Sequence, residues 1–254
     1  MQPAGLKWLR RYGEARGNEV GRGRRARVLS VGPGDGELDF AFLEGLGAPA
    51  AFLGLEPSPR LRADFFARDA APLPVGTTLA LSAAAWPECA GEALEGAYDT
   101  VLLNHVLYYF EDCGPPLAAA VAVVAPGGAA VVLVQAAEGV PEIQAEVLPG
   151  WRGSDDWRRD VCTADDVEAA LRALPCTYER ADLDADLDMS AVLDPASDDG
   201  VAIMSFCVEA DLRGAAPAAV DAVRAAFAKR AVPGLGGGPV LREPVVAFVV
   251  RPRE

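Results

Sequence analysis

Short apolar runs alternate with amphipathic stretches along the first half of the chain. ARVLSV (26–31), AAFLGLE (50–56), TLALSA (78–83), DTVLLNH (99–105) and AAVVLVQ (129–135) are apolar runs bounded by turn residues. That is the pattern of strands buried on both faces. Between them, ELDFAFLEGL (37–46), SPRLRADFFARD (58–69) and PLAAAVAVVA (116–125) carry helical spacing. Strands and helices in regular alternation predict an α/β, Rossmann-like fold, with a mostly parallel sheet and helices on both faces. A first helix is predicted at LKWLRRYGEA (6–15).

The pattern changes after residue 137. A Trp-, Asp- and Gly-rich segment (LPGWRGSDDWRRD) leads into TADDVEAALRAL (163–174). There Thr163 suits an N-cap, and Asp165 and Asp166 lie near the positive helix end. CTYERADLDADLDMS (176–190) reads as a strand running into an acidic, period-two stretch. Its DxDxDxD lacks the glycine and terminal glutamate of a calcium loop, so a strand edge or solvated loop is expected instead. PAAVDAVRAAFAKRA (217–231) predicts a late helix, GLGGGP (234–239) a turn and PVVAFVVRP (244–252) the last strand. No internal repeat is present. One domain over 1–254 is expected: a helical lead at 1–26, a cofactor-binding core at 27–136, and substrate-side insertions with the C-terminal strands at 137–254.

Composition narrows the function. Of 254 residues 51% are hydrophobic, enough for a core, and the formal net charge is -14. Residues 1–27 hold eight of the 23 basic side chains but only two acids, Glu14 and Glu19; the remaining 15 basic and 35 acidic side chains leave the rest at -20. Such a surface repels phosphate backbones and argues against a nucleic-acid partner. The basic lead has no Ser or Thr and no apolar signal core, so an ordinary helix is favoured over a targeting segment. The longest apolar stretch, residues 117–137, is interrupted by Pro126-Gly127-Gly128, so no membrane span is expected. Five cysteines without a C-x-x-C pair, and a single histidine, argue against a zinc site. Reduced, buried thiols in a cytoplasmic, monomeric protein are the expectation.

The stretch VLSVGPGDGELDF (28–40) puts three glycines where a strand ends and a helix begins. Glycine there lets the backbone turn sharply and approach a ligand. A dinucleotide turn, G-x-G-x-x-G, would need glycine at position 37, where Glu37 stands, and no phosphate-cradling G-x-x-x-x-G-K-[ST] occurs. The second strand ends in Leu55-Glu56-Pro57-Ser58, about twenty residues beyond the glycines, where a carboxylate can accept both hydroxyls of a ribose. A nucleoside site without a phosphate requirement points to S-adenosylmethionine, with S-adenosylhomocysteine as product.

Four motifs in order, VGPGDG, LEPSP, YDTVLLNHVLYYFED and VVAPGGAAVVL, resemble those of class I S-adenosylmethionine-dependent methyltransferases. The resemblance implies a seven-stranded sheet in the order 3-2-1-4-5-7-6, with the final strand, PVVAFVVRP, antiparallel. A closer resemblance, to the histamine N-methyltransferase family, rests on LSVGPGDGELDF, EPSP, HVLYYFED, DVCTADDVEAAL, Tyr178-Glu179, LDMS, AIMSFCVEADL and VVAFVV.

That likeness implies roles. Gly32, Pro33, Gly34 and Gly36 would approach the methionine part of the cofactor, Glu56 and Ser58 the ribose side, and Asn104 would lie beside it. His105 stands where the family has a glutamine that holds the imidazole substrate. Tyr108, Tyr109, Trp151, Cys162 and Phe206 match pocket residues, and His105 and Tyr108 are the catalytic candidates. The family's N-terminal lid has no expected counterpart here, and its last-strand asparagine falls at Glu243-Pro244. A small amine or imidazole compound, histamine-like, is the expected acceptor. S- or O-methylation of another small metabolite, or a non-catalytic binding protein, stay as alternatives.

Overall fold

The computed structural model describes residues 3–20, 24–70, 72–88, 97–147 and 162–253. The predicted alternation is realised in order: helix α1 (Pro3–Val20), strand β1 (Ala26–Val31), α2 (Glu37–Leu46), β2 (Ala50–Leu55), α3 (Pro59–Ala67), β3 (Thr78–Ser82) and β4 (Tyr98–Asn104). A 3₁₀ turn at Leu107–Tyr109 follows, then α4 (Gly114–Ala122), β5 (Val124–Gln135), α5 (Val140–Val147), α6 (Ala164–Ala173) and β6 (Cys176–Leu183). The chain closes with β7 (Asp186–Asp188), α7 (Ser190–Leu193), α8 (Asp198–Cys207), α9 (Pro217–Arg230), β8 (Val232–Pro233), β9 (Pro239–Arg242) and β10 (Val245–Pro252).

Seven strands form the main sheet in the order β3-β2-β1-β4-β5-β10-β6. β1 runs parallel to β2 and β4, β4 parallel to β5, and β10 antiparallel to both β5 and β6. This is the expected sheet, antiparallel last strand included. Alternate side chains enter two different cores, as the strand's period of two requires. Val101, Leu103, Val246 and Phe248 join the core under α4 and α6, whereas Leu102, Val245 and Ala247 join the core under α1, α2 and α3. Because both faces are covered, β4 is buried along its whole length.

The basic lead is structural where it is described. Trp8 and Tyr12 stack on one another, and Tyr12 continues onto Phe42 of α2. Arg16 donates to the carbonyl of Asp99 at 3.1 Å, and Arg24 pairs with the Asp99 carboxylate. These cations tie α1 and the chain after it to the N-terminal edge of the sheet.

Three expectations change. β3 is an edge strand with exposed and half-buried side chains, not a buried one, because it pairs only with β2. Helix α4 stops at Ala122, and β5 already begins at Val124, where it pairs with Tyr98. The ladder resumes at Ala129 opposite Thr100, so Pro126-Gly127-Gly128 sits in an irregularity within the strand and does not precede it. The acidic stretch divides between two sheets. β6 closes the main sheet, while β7 pairs with β9 in a second sheet, β7-β9-β8, beside a core from α5, α7, α8 and α9. Its strands are two to four residues long, too short for periodicity to reveal. Thr163 does cap α6: its N–H and hydroxyl both donate to Asp166 Oδ2, at 2.9 and 2.8 Å.

Candidate active site

The strand order reverses direction between β1 and β4, and their C-terminal ends open on a cavity of about 1380 Å³. This is where ligands bind in open α/β sheets. Ordinary ligand pockets measure about 300–1000 Å³, so the space accommodates a nucleoside-sized molecule and a small partner together.

One half of the cavity is built on the glycine turn. Gly32 N–H donates to Leu55 O at 2.8 Å, holding the turn against the end of β2. Gly34 adopts a φ of +58°, and its Cβ position faces open space. Glycine is required there by the backbone, and the space beside it is left open for a ligand to approach the turn. The Glu56 carboxylate, buried to 5% exposure, accepts from Gly34 N at 3.1 Å and Ser58 N at 2.9 Å. It therefore braces the turn and still has acceptor lone pairs to offer a ribose. Ser58 Oγ accepts from Leu61 N at 3.3 Å and caps α3.

Gly32, Pro33, Gly34, Glu56, Ser58, Asn104, His105, Tyr108, Tyr109 and Phe206 all line the cavity. Gly36 does not. An added Cβ there would stand 2.5 Å from the Phe65 ring, so Gly36 is glycine for packing and for its φ of +82°. Cys162 also lies elsewhere, in the core under α4 and α6 and beside the Cys113 thiol. The cause is its position just before α6, which packs on the sheet; the neighbouring Cys113 thiol, and then burial, hold its pKa up. Trp151 lies outside the described residues.

The other half gathers polar groups from distant parts of the chain. Asn104 ends β4 with both side-chain amide atoms buried and, among the described residues, unpartnered. His105, next along, has a φ of +51°, which L residues rarely adopt. Burial pushes its imidazole pKa down to about 4, so it is neutral near pH 7. The Tyr108 and Tyr109 rings are 4.7 Å apart, with Tyr109 57% exposed and Phe206 84% exposed at the rim. Burial raises the Tyr108 phenol and keeps it protonated.

Sequence reasoning missed Trp86, Asp39, Gln144, Asp186 and Glu209 as cavity residues, and named Glu243 only by its place in the chain. Trp86 Nε1 donates to Pro116 O at 3.1 Å, which fixes the indole as a wall. Asp39 is buried on α2 with neither oxygen in a well-formed hydrogen bond, and desolvation raises its pKa to about 7 despite the nearby Ser30 hydroxyl. It shares a helical stripe with Phe42, Leu43 and Leu46, so an acid at a core position was a readable signal. The lining contains seven carboxylates, Asp35, Glu37, Asp39, Glu56, Asp186, Glu209 and Glu243, and among the described residues no lysine or arginine. Asp35 is paired with Arg68, which stands outside the lining.

These features fit S-adenosylmethionine: an open glycine turn, a braced acid after β2, an orphaned amide at the end of β4 and no cationic cradle for a phosphate. The family profile described as "Methyltransferase domain" matches residues 6–180. No curated protein matches the sequence. Among solved structures, the YcgJ protein from Bacillus subtilis superposes with a TM-score of 0.57 at 13% identity, covering 96% of this chain and 99% of that one. The plantazolicin methyltransferase BamL, in complex with a substrate analogue and S-adenosylhomocysteine, gives 0.52 at 9% identity, with 98% and 85% covered. The [4+2]-cyclase SpnF gives 0.55 at 14% identity, with 96% and 81% covered. At such identities the likeness shows the fold, and function has to come from the site. None of these three is a histamine N-methyltransferase.

Proposed function

We propose an acceptor class from the premise that this chain belongs to the methyltransferase domain family. It is an S-adenosylmethionine-dependent methyltransferase acting on a small molecule, and the acceptor we infer is a small amine. One observation carries the inference. Beyond the carboxylates of the glycine turn, α2 and the end of β2, the lining presents Asp186, Glu209 and Glu243 from the C-terminal part of the chain, with no lysine or arginine among the described lining residues. A carboxylic acid entering there would meet like charge, whereas a cationic amine would be drawn in. Trp86, Tyr108, Tyr109 and Phe206 add aromatic surface for the acceptor's apolar part.

When bound, S-adenosylmethionine supplies an electrophilic methyl group on a sulfonium that leaves as a neutral thioether. The chain's own contribution is to hold the acceptor nitrogen roughly 3 Å from that carbon and keep water away. The amine that enters as its ammonium first gives one proton to a carboxylate of the lining; the freed nitrogen lone pair would then form the new N–C bond as the C–S bond breaks, and the positive charge passes from sulfur to nitrogen. Because that proton goes to a carboxylate, the base strength of His105 is not limiting. With its pKa pushed down to about 4, His105 acts by accepting a hydrogen bond from the acceptor N–H and aiming the lone pair. Tyr108, protonated, orients the acceptor from the 3₁₀ turn beside it. The carboxylates stabilise the cation that forms.

The test is release of S-adenosylhomocysteine with phenethylamine, 2-phenylethanethiol and 3-phenylpropionate as acceptors of similar shape. Turnover with the amine, well above the other two, is expected. Turnover confined to the thiol or the acid would overturn the amine assignment.

A further inference from the structure

Glu243 lies between β9 and β10, far in sequence from the cofactor motifs, yet its side chain is 94% buried and lines the cavity. Its Oε2 accepts from Val140 N at 2.8 Å, at the start of α5, and its own N–H donates to Ala185 O at 2.8 Å. Gln144 stands one turn further along α5, at i+4 from Val140 and so on the same face. It is 96% buried and also lines the cavity. Its Nε2 donates to Cys207 O at 2.7 Å, which fixes the amide's orientation, while its Oε1 has no partner among the described residues. An acid and an amide thus both stand in the cavity wall at α5. Each is held by a bond to its other end, and neither is supplied with a donor for the remaining oxygen by a described residue.

Such an arrangement is costly unless a ligand completes it. The missing ligand must bring N–H donors, and positive charge suits it best. We propose that Glu243 and Gln144 form the subsite that receives the methyl acceptor's amine as its ammonium, with Glu243 Oε1 and Gln144 Oε1 accepting its N–H bonds, and that Glu243 then takes one of its protons so that the neutral nitrogen can turn its lone pair to the methyl carbon. The subsite rests on the amine assignment above and gives it a location. It also explains why a glutamine precedes the last turn of an otherwise apolar buried face of α5, formed by Val140 and Ile143.

The groups around Glu243 are few. Cys207 of α8 faces it, and burial together with the Glu243 charge pushes that thiol up to about 12. Glu142 of α5 accepts from Gly139 N and pairs with Arg230 of α9. Arg242, exposed, adjoins it in the chain and pairs in register with Asp186 of β7. Burial lifts the Glu243 carboxyl to about 7.

The experiment is calorimetric titration of phenethylamine, and of its neutral isostere 2-phenylethanol, into the full chain holding S-adenosylhomocysteine. Wild type should bind the amine at least tenfold more tightly than the alcohol. Glu243→Gln should abolish that preference while leaving affinity for the alcohol and for S-adenosylhomocysteine unchanged, and Gln144→Leu should weaken the amine about threefold or more. Glu243→Gln that keeps the amine preference overturns the subsite. A second arm needs no variant. Between pH 6 and pH 8 an alkylamine stays charged while a carboxyl near 7 ionises, so amine affinity of the wild type should rise about tenfold. A flat profile also overturns the subsite. Turnover distinguishes the two inferences: if wild type methylates the amine but Glu243→Gln binds it normally, only the subsite fails. If wild type methylates only thiols or acids, the amine assignment fails with it.

Discussion

Replacing Glu56 with alanine isolates what this carboxylate does. It accepts two amide N–H bonds, from Gly34 at 3.1 Å and Ser58 at 2.9 Å, in a place with almost no solvent. Hydrogen bonds to a charged group contribute about 1.5–3 kcal/mol each, discounted here because water can enter the space and take over the amides. A stability loss of about 2–4 kcal/mol follows, or roughly 5–15 °C of melting temperature for a chain of this size. If the same carboxylate accepts the ribose hydroxyls, affinity for S-adenosylhomocysteine should fall by a further factor of about 30 to 1000. Glu56→Gln keeps one acceptor oxygen and should fall between the two. Calorimetry on folded protein below the lowered melting temperature separates the roles. An alanine variant that melts early but binds S-adenosylhomocysteine as before would refute the ribose contact, leaving Glu56 only a brace for the turn.

His105→Ala should lower methyl transfer by roughly 10²-fold with S-adenosylhomocysteine affinity unchanged, and full turnover per folded molecule would remove it from the mechanism. Because His105 sits at a φ of +51°, His105→Gly should be more stable than His105→Ala by about 1 kcal/mol in denaturant unfolding; equal stability would contradict the strained backbone. Asp39 carries a pKa raised from 3.8 to about 7, so the native state holds a proton that the unfolded chain releases. Its contribution is complete below about pH 4 and is lost as pH rises through 7. Asp39→Asn should therefore melt higher than wild type at pH 8, with the difference narrowing at pH 5 and closing by about pH 4, and a pH-independent difference would count against a buried acid. Cys162→Ala should cost about 1 kcal/mol in stability and leave binding of phenethylamine and S-adenosylhomocysteine unchanged; weakened amine binding would return Cys162 to the site.

The main sheet was legible because its central strands are buried on both faces and read as continuous apolar runs, β4 and β10 most clearly. The glycine turn and Glu56 were legible because their chemistry is local, lying within a few residues of a strand end. What escaped is what long-range packing creates. Gln144 sits in a helix whose polar face cannot be told from its cavity face without knowing that α8 and α9 close over it. Glu243 precedes the apolar run that opens β10, and nothing in LREPVV shows that Val140, about a hundred residues earlier, binds its carboxylate. Cys162 was misplaced because residue likeness suggested a pocket position, whereas the start of α6 directs it into the core beside Cys113. Nor does a lone histidine at a strand end reveal its protonation state: burial at the end of β4 removes the water that would stabilise the charged form of His105.

The central claim is that an acidic, aromatic cavity next to the glycine turn delivers a small amine to the methyl donor. Its most direct test is mass spectrometry of phenethylamine after incubation with the full chain and trideuteromethyl-labelled S-adenosylmethionine. The account predicts a product in which one labelled methyl group replaces one hydrogen on nitrogen, formed one-for-one with S-adenosylhomocysteine. Label found only on thiol or carboxylate acceptors offered in parallel, with phenethylamine untouched, would contradict it.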